Sequence, residues 1–196
     1  MLTQLTTLKS RLSILDTDTT QDALLTSAIQ AVSARFETET NRTLGRTVDF
    51  QQEFDADTTE IIAACFPIET VAKFELKTSE ASGWIEQSLR DFLIRSGCVI
   101  SLGAPFSAQC SPRSLARVTY TAGYVLPGEP DVSGSTRLPA ELEQAAVEQV
   151  AFWFQTRDHV GVNRQWPKGG TYETFPDLDL LPSVRAVLGK FRRLVL

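Results

Sequence analysis

Histidine and cysteine are scarce in this chain, and their scarcity excludes much chemistry. The 196 residues hold one histidine and three cysteines. His159 has no cysteine cluster near it in sequence, so a four-ligand zinc site of the usual kind cannot be built around it. Cys65, Cys98 and Cys110 are odd in number and widely spaced, with no Cys-x-x-Cys, and reduced thiols in a cytosolic setting are expected. No Gly-x-Ser-x-Gly elbow is present, which removes one hydrolase class. Lys168, Gly169, Gly170 and Thr171 have the composition of a phosphate loop in the wrong order. They also lack the upstream glycine, so a flexible loop is expected. Long apolar runs are missing too. The longest, residues 61–66, cannot span a bilayer, and no basic start followed by an apolar stretch suggests a signal peptide. Basic charge is in deficit: 19 Lys and Arg stand against 24 Asp and Glu, a net charge of −5, which is a poor basis for general DNA binding.

What is present belongs to a globular protein, with 42% hydrophobic and 22% charged residues. The length suffices for one domain with a real core or two small ones. Leu2, Leu5, Leu8 and Leu12 recur at helical spacing, and a polar, cap-rich turn follows. A second helix is predicted with Thr19 or Thr20 as N-cap, Asp22 in its first turn, and Leu25, Ile29, Val32 and Phe36 on one stripe. Asn41 and Gly45 are its predicted terminators.

From residue 46 the period changes to that of strands. Val48, Phe50 and Phe54 alternate with polar residues, and residues 60–66 form a short apolar run ended by Pro67. Val71, Phe74 and Leu76 mark a further strand, and residues 79–83 a turn. Residues 91–103 read as two strands about a glycine turn, and Val118 and Tyr120 as a last strand. Residues 104–113 read as a loop and 124–137 as an exposed linker. Pro139 is expected at the first position of a long helix whose buried face is Leu142, Ala146, Val150, Trp153 and Phe154. An aperiodic stretch follows, and Pro182 opens a closing helix through Arg193.

The expected fold is α+β and mainly α. A small helical bundle comes from the N- and C-terminal segments, with a β-rich insertion between helices two and three. As one domain over residues 1–196 it divides into a helical pair (1–45), the β-rich insertion (46–125) and the C-terminal helices with a long loop (138–196). No internal repeat or low-complexity tract interrupts it.

No residue set in this chain proposes a reaction. Asp55, Asp57 and Glu60 could in principle hold a divalent ion, but a polar hairpin turn explains them. Glu141, Glu143 and Glu148 read as a solvated helix face with acids near its start. No catalytic residue, metal or cofactor is expected. Two features instead suggest a partner interface. The long loop over residues 161–176 carries Trp166, Lys168, Tyr172 and Phe175, which suggests burial against a partner or over the chain's own core. The closing helix carries Arg185, Lys190, Arg192 and Arg193 with no acid from 185 to the end, which fits an acidic partner as well as the helix dipole.

Placed in order, these pieces resemble the head–tail connector (adaptor) proteins of long-tailed bacteriophages and prophages. The resemblance rests on LTTLKSRLSILDTDTTQDALLTSAIQAVSARFETETNRTL, with its close in Glu39, Arg42 and Leu44, on the strand VTYTAGY, on LPAELEQAAVEQVAFWFQTRD, and on PSVRAVLGKFRR. Together these stretches cover about half the chain; the β block is longer than a minimal member would need. The resemblance implies a structural virion protein, assembled in the host bacterial cytoplasm, that forms a ring of itself, about twelvefold in the virion. That ring would lie beneath the portal protein, extend the DNA channel and dock tail completion or stopper proteins. DNA would pass without sequence-specific binding, and no membrane is involved. Competing readings are another tail-completion or virion component, or a small ligand-binding domain or enzyme with a pocket around Trp166 and Arg157.

Overall fold

The fold is given by a computed structural model that describes residues 1–89, 91–106, 114–157, 164–165, 173–174 and 179–193. It divides into a helical unit, Met1–Thr40 with Leu138–Phe191, and a β unit, Asn41–Arg137 with Arg192–Leu196.

The helical unit contains α1 (Leu5–Arg11), α2 (Asp22–Thr40), α3 (Ala140–Thr156) and α4 (Pro182–Lys190). α3 packs against α1, α2 and α4. The α2 stripe of Leu25, Ile29, Val32 and Phe36 is buried as its spacing predicts, and meets Leu142, Ala146 and Val150 of α3 and Val184 and Leu188 of α4 in one core. α2 ends where Asn41 takes φ 52°, a left-handed conformation that asparagine tolerates.

Several local expectations are corrected. α2 starts at Asp22, and neither Thr19 nor Thr20 caps it. Thr20 instead donates its N–H (3.0 Å) and its hydroxyl (2.6 Å) to the Asp18 carboxylate, closing the turn before the helix. Lys9 secures this turn: its buried ammonium donates to the carbonyls of Asp18 (2.8 Å) and Asp16 (3.3 Å) and lies 2.5 Å from Asp22 Oδ1. Pro139 is the N-cap of α3, with a non-helical ψ of 133°, and its carbonyl accepts from Leu142 N–H. Trp153 and Phe154 are only half-buried, because the buried face turns through Gln149 and Ala151 and fades in the last turn. α4 stops at Lys190, short of Arg193.

The β unit holds two antiparallel sheets. The larger runs β1 (Thr47–Asp55), β7 (Leu115–Ala122), β3 (Ile68–Lys77), β4 (Ile85–Gln87); the smaller runs β2 (Glu60–Ile62), β6 (Val99–Leu102), β5 (Phe92–Arg95). Inward residues of both form one core: Ile61, Phe74, Ile100, Phe106, Ala116, Val118, Tyr120 and Ala122. Phe74 sits at its centre, with ring centroids 5.7 Å from Phe106 and 6.1 Å from Phe92.

Three sequence expectations about extended segments fail for backbone reasons, two in the β unit and one in the helical unit. Val48 is 58% exposed because β1 shifts register between Thr47 and Phe50, with Asp49 at φ 54°, which turns Val48 away from the core. Residues 124–137 are not simply an exposed linker: β8 (Tyr124–Val125) is buried and pairs in parallel with β9 (Thr136–Arg137). Gly123 permits this, since at φ 105° a Cβ would fall 2.5 Å from the Gly45 carbonyl oxygen. Residues 164–174, read as aperiodic, contain the short pair β10 (Arg164–Gln165) and β11 (Glu173–Thr174). The α+β class and the inserted β block hold, with strand nearly as abundant as helix.

Candidate partner interface

α4 forms because Pro182 sits at its first turn, and its apolar side, Val184 and Leu188, is buried. The segment before it is tied to α3 by a buried amide. Gln149 donates Nε2 to the Asp179 carbonyl (3.2 Å), and its Oε1 accepts Leu181 N–H (2.9 Å). Both polar ends of a fully buried side chain are thereby satisfied, which fixes the entry to α4.

The basic residues predicted as an interface have different surroundings in the structure. Arg185 pairs with Asp179, which also lies 3.6 Å from Arg35 of α2. The Leu180 N–H and then Arg185 hold the Asp179 carboxyl below its ordinary pKa. Lys190 reaches Glu141 at the start of α3, at 2.8 Å. Arg193 joins the β unit, where its Nη2 donates to the Ile62 carbonyl (2.7 Å), which also accepts Gln52 Nε2 (3.0 Å). The Arg193 Nε is buried and meets no hydrogen-bond acceptor. Arg192 is exposed. Thus two of the four cations neutralise acids of the helical unit and a third is inserted in the β unit. The acids Asp179 and Glu141 were missed because neither lies within α4; Glu141 is 49 residues from Lys190.

Trp166, Lys168, Tyr172 and Phe175 lie outside the described residues, as do His159, Cys110 and the Lys168–Thr171 stretch. Cys65 is buried, with its Sγ 3.7 Å from the Gly45 carbonyl oxygen, and Cys98 is half-buried. Among the described residues no group of three or more His, Cys, Asp or Glu could hold a metal ion. Asp55, Asp57 and Glu60 bound a turn: Thr58 N–H donates to the Asp55 carbonyl, and Glu60 pairs with Arg95 at 2.8 Å. No helix among them is long and apolar enough to cross a membrane.

The β unit also buries Arg42, which the sequence marked only as part of a motif and not as a core residue. Arg42 is 4% exposed, with its guanidinium 3.2 Å from the Phe66 ring centroid and 5.1 Å from that of Tyr124. Its Nη2 donates to the Phe66 carbonyl, while Nε and Nη1 are buried away from water. Burial pushes its pKa down. This group is structural: it pins residues 41–45 to the β unit as the chain leaves α2.

Comparison with known proteins completes the picture. A family model described as "Head completion protein" matches residues 2–194. No curated protein matches the chain in sequence. Among solved structures, the chain is similar to one in the neck of an empty GTA particle computed with C6 symmetry, with 16% identity, 97% of this chain and 89% of that chain covered, and a TM-score of 0.60. It is similar to another from the virion of a native gene transfer agent (GTA) particle, with 18% identity, 97% and 89% coverage and a TM-score of 0.58. A third, from the neck of a native GTA particle computed with C12 symmetry, has 17% identity, 89% and 84% coverage and a TM-score of 0.54. At these identities the likeness establishes a common fold.

Proposed function

Because the chain belongs to the head completion protein family, whose model matches residues 2–194, we propose that it is a head–tail connector subunit forming a ring beneath the portal. Proteins of this family are structural virion components, not enzymes. The observation that carries the proposal is the family match over nearly the whole chain. Folds of this kind in GTA necks computed with C6 and C12 symmetry support the ring. In a cyclic ring each copy makes one heterologous contact with the next, so a single subunit design serves every position. The helical and β units together would constitute that one connector subunit, incorporated in the virion after assembly in the host bacterial cytoplasm.

The ring would extend the DNA channel and give tail completion or stopper proteins their docking surface. A net charge of −5 supports passage of DNA without adhesion, since retention requires clustered Lys and Arg. The contact residues proposed are Trp166, Lys168, Tyr172 and Phe175 of the long loop, with Arg192, an exposed cation beyond α4. Arg185 and Lys190 contribute by holding α4 in place.

Mixing the full chain with portal rings tests this by negative-stain microscopy and mass photometry. A second ring stacked on the portal is expected. Deleting residues 161–176, or Arg192→Gln, should weaken attachment while leaving the thermal unfolding midpoint within a few degrees of wild type. A chain that stays monomeric and unattached at saturating portal overturns the proposal.

A further inference from the structure

β5 is an edge strand: it pairs with β6 and with no other strand among the described residues. Its sequence, Phe-Leu-Ile-Arg, carries little of the charge, proline or bulging by which exposed edges are usually protected. Leu93 is 67% exposed and Ile94 38%. Beside the edge lies a recess of about 540 Å³ lined by Asp91, Phe92, Leu93 and Arg95 with Ser101 and Leu102 of β6.

The backbone shows which groups this edge offers. Gly103 N–H donates to the Asp91 carbonyl and Cys98 N–H to the Arg95 carbonyl, so residues 91, 93 and 95 direct their peptide groups toward β6. By alternation, the N–H and C=O of Phe92 and Ile94 point to the open side. Phe92 and Ile94 lie opposite Leu102 and Ile100, on the core face, while Asp91, Leu93 and Arg95 take the other face.

We infer that this edge pairs antiparallel with β5 of a second copy of the chain, about a two-fold axis at Leu93. In that register Phe92 faces the partner's Ile94 and exchanges both backbone hydrogen bonds with it. The symmetric pair does the same, giving four bonds. Leu93 meets the partner's Leu93 at the closer, non-hydrogen-bonded spacing. Asp91 stands opposite the partner's Arg95, and Arg95 opposite the partner's Asp91. The strand is therefore self-complementary in hydrogen bonding, apolar surface and charge at once, and the charge complementarity selects a second copy over an unrelated segment. Arg95 can serve both the partner's Asp91 and its own Glu60, 2.8 Å away, because a guanidinium offers several donors. The result is a continuous six-stranded sheet. This contact closes on two copies, so it differs from the heterologous contacts of a ring and covers the apolar edge of the free protein.

Sedimentation velocity of the purified full chain over a concentration series tests it. A reversible dimer is expected. Leu93→Lys, at an exposed position, should weaken it by about tenfold or more, and Asp91→Arg by about tenfold; Asp91→Arg combined with Arg95→Asp should bring it back to within about threefold of wild type. Circular dichroism melts confirm that each variant is folded. A chain that is monomeric at every concentration, a dimer indifferent to Leu93→Lys, or a charge swap that fails to restore pairing overturns the inference. So does a monomer whose β5 edge takes up an extended segment of another protein. Ring formation on portal is read separately, by microscopy: its absence leaves the two-fold contact standing, and the two-fold contact can fail with the ring intact.

Discussion

Tyr120 ties β7 to β1 and to the segment that follows β2. Its hydroxyl donates to Gln52 Oε1 (2.8 Å) and accepts the N–H groups of Ala64 (3.1 Å) and Cys65 (3.3 Å). Burial pushes its pKa up to about 12. Tyr120→Phe keeps the ring's packing but leaves the Cys65 N–H without this acceptor, so about 1–3 kcal/mol of stability should be lost in urea unfolding. Glu75 is the complementary case, a buried carboxylate between Arg117 (2.9 Å) and Lys73 (3.2 Å). Burial raises its pKa, but the hydrogen bonds from Arg117 and Lys73 outweigh that and hold it below the ordinary carboxylate value. A folded pKa below the unfolded one gives stability that is present above the unfolded pKa and fades as pH falls through the folded one. Glu75→Gln should therefore lower stability by about 1–3 kcal/mol at pH 7, with the gap from wild type closing as pH drops below about 4. Parallel urea titrations at pH 7 and pH 3 check this, and a gap independent of pH contradicts it.

At the scale of elements, the α1–α2 turn is decided by Lys9. One ammonium meets the carbonyls of Asp16 and Asp18 and the carboxylate of Asp22. Lys9→Met fills the volume but removes all three contacts, and the thermal midpoint should fall by an amount equivalent to about 1–3 kcal/mol. An unchanged midpoint would show the turn to be held by Asp18 and Thr20 alone. The sequence signalled that a turn lay here through its cap-rich composition. It did not signal the lysine, which reads as one more polar position on α1 until the chain folds back over it. α2 is the opposite case. Its apolar stripe recurs at three and four residues, so the face it buries is legible in the spacing of its residues alone.

For the whole molecule, charge and architecture support the same prediction. The net charge of −5, and the pairing of Arg185 and Lys190 to Asp179 and Glu141, favour weak binding to a phosphate backbone. In electrophoretic mobility or fluorescence anisotropy assays at physiological salt, no retention of duplex DNA is expected at micromolar protein. A complex of micromolar affinity whose strength falls steeply with salt would show a basic channel surface and contradict the passive-channel reading.

The helices and the presence of a β block between them were written in local signals: 3.6-residue stripes, period-two alternation, and glycine and proline punctuation. Each depends on neighbours a few residues away, so it survives reading in one dimension. Only the tertiary structure decided which strands pair, with β7 placed between β1 and β3, and where a bulge turns Val48 outward. It also decided that Trp153 and Phe154 stop short of full burial, and that three of the four C-terminal cations are engaged within the chain itself. Those outcomes rest on residues brought together from far apart, Lys190 with Glu141 and Arg193 with Ile62. The energy of such a contact depends on a distance in space that sequence spacing does not encode.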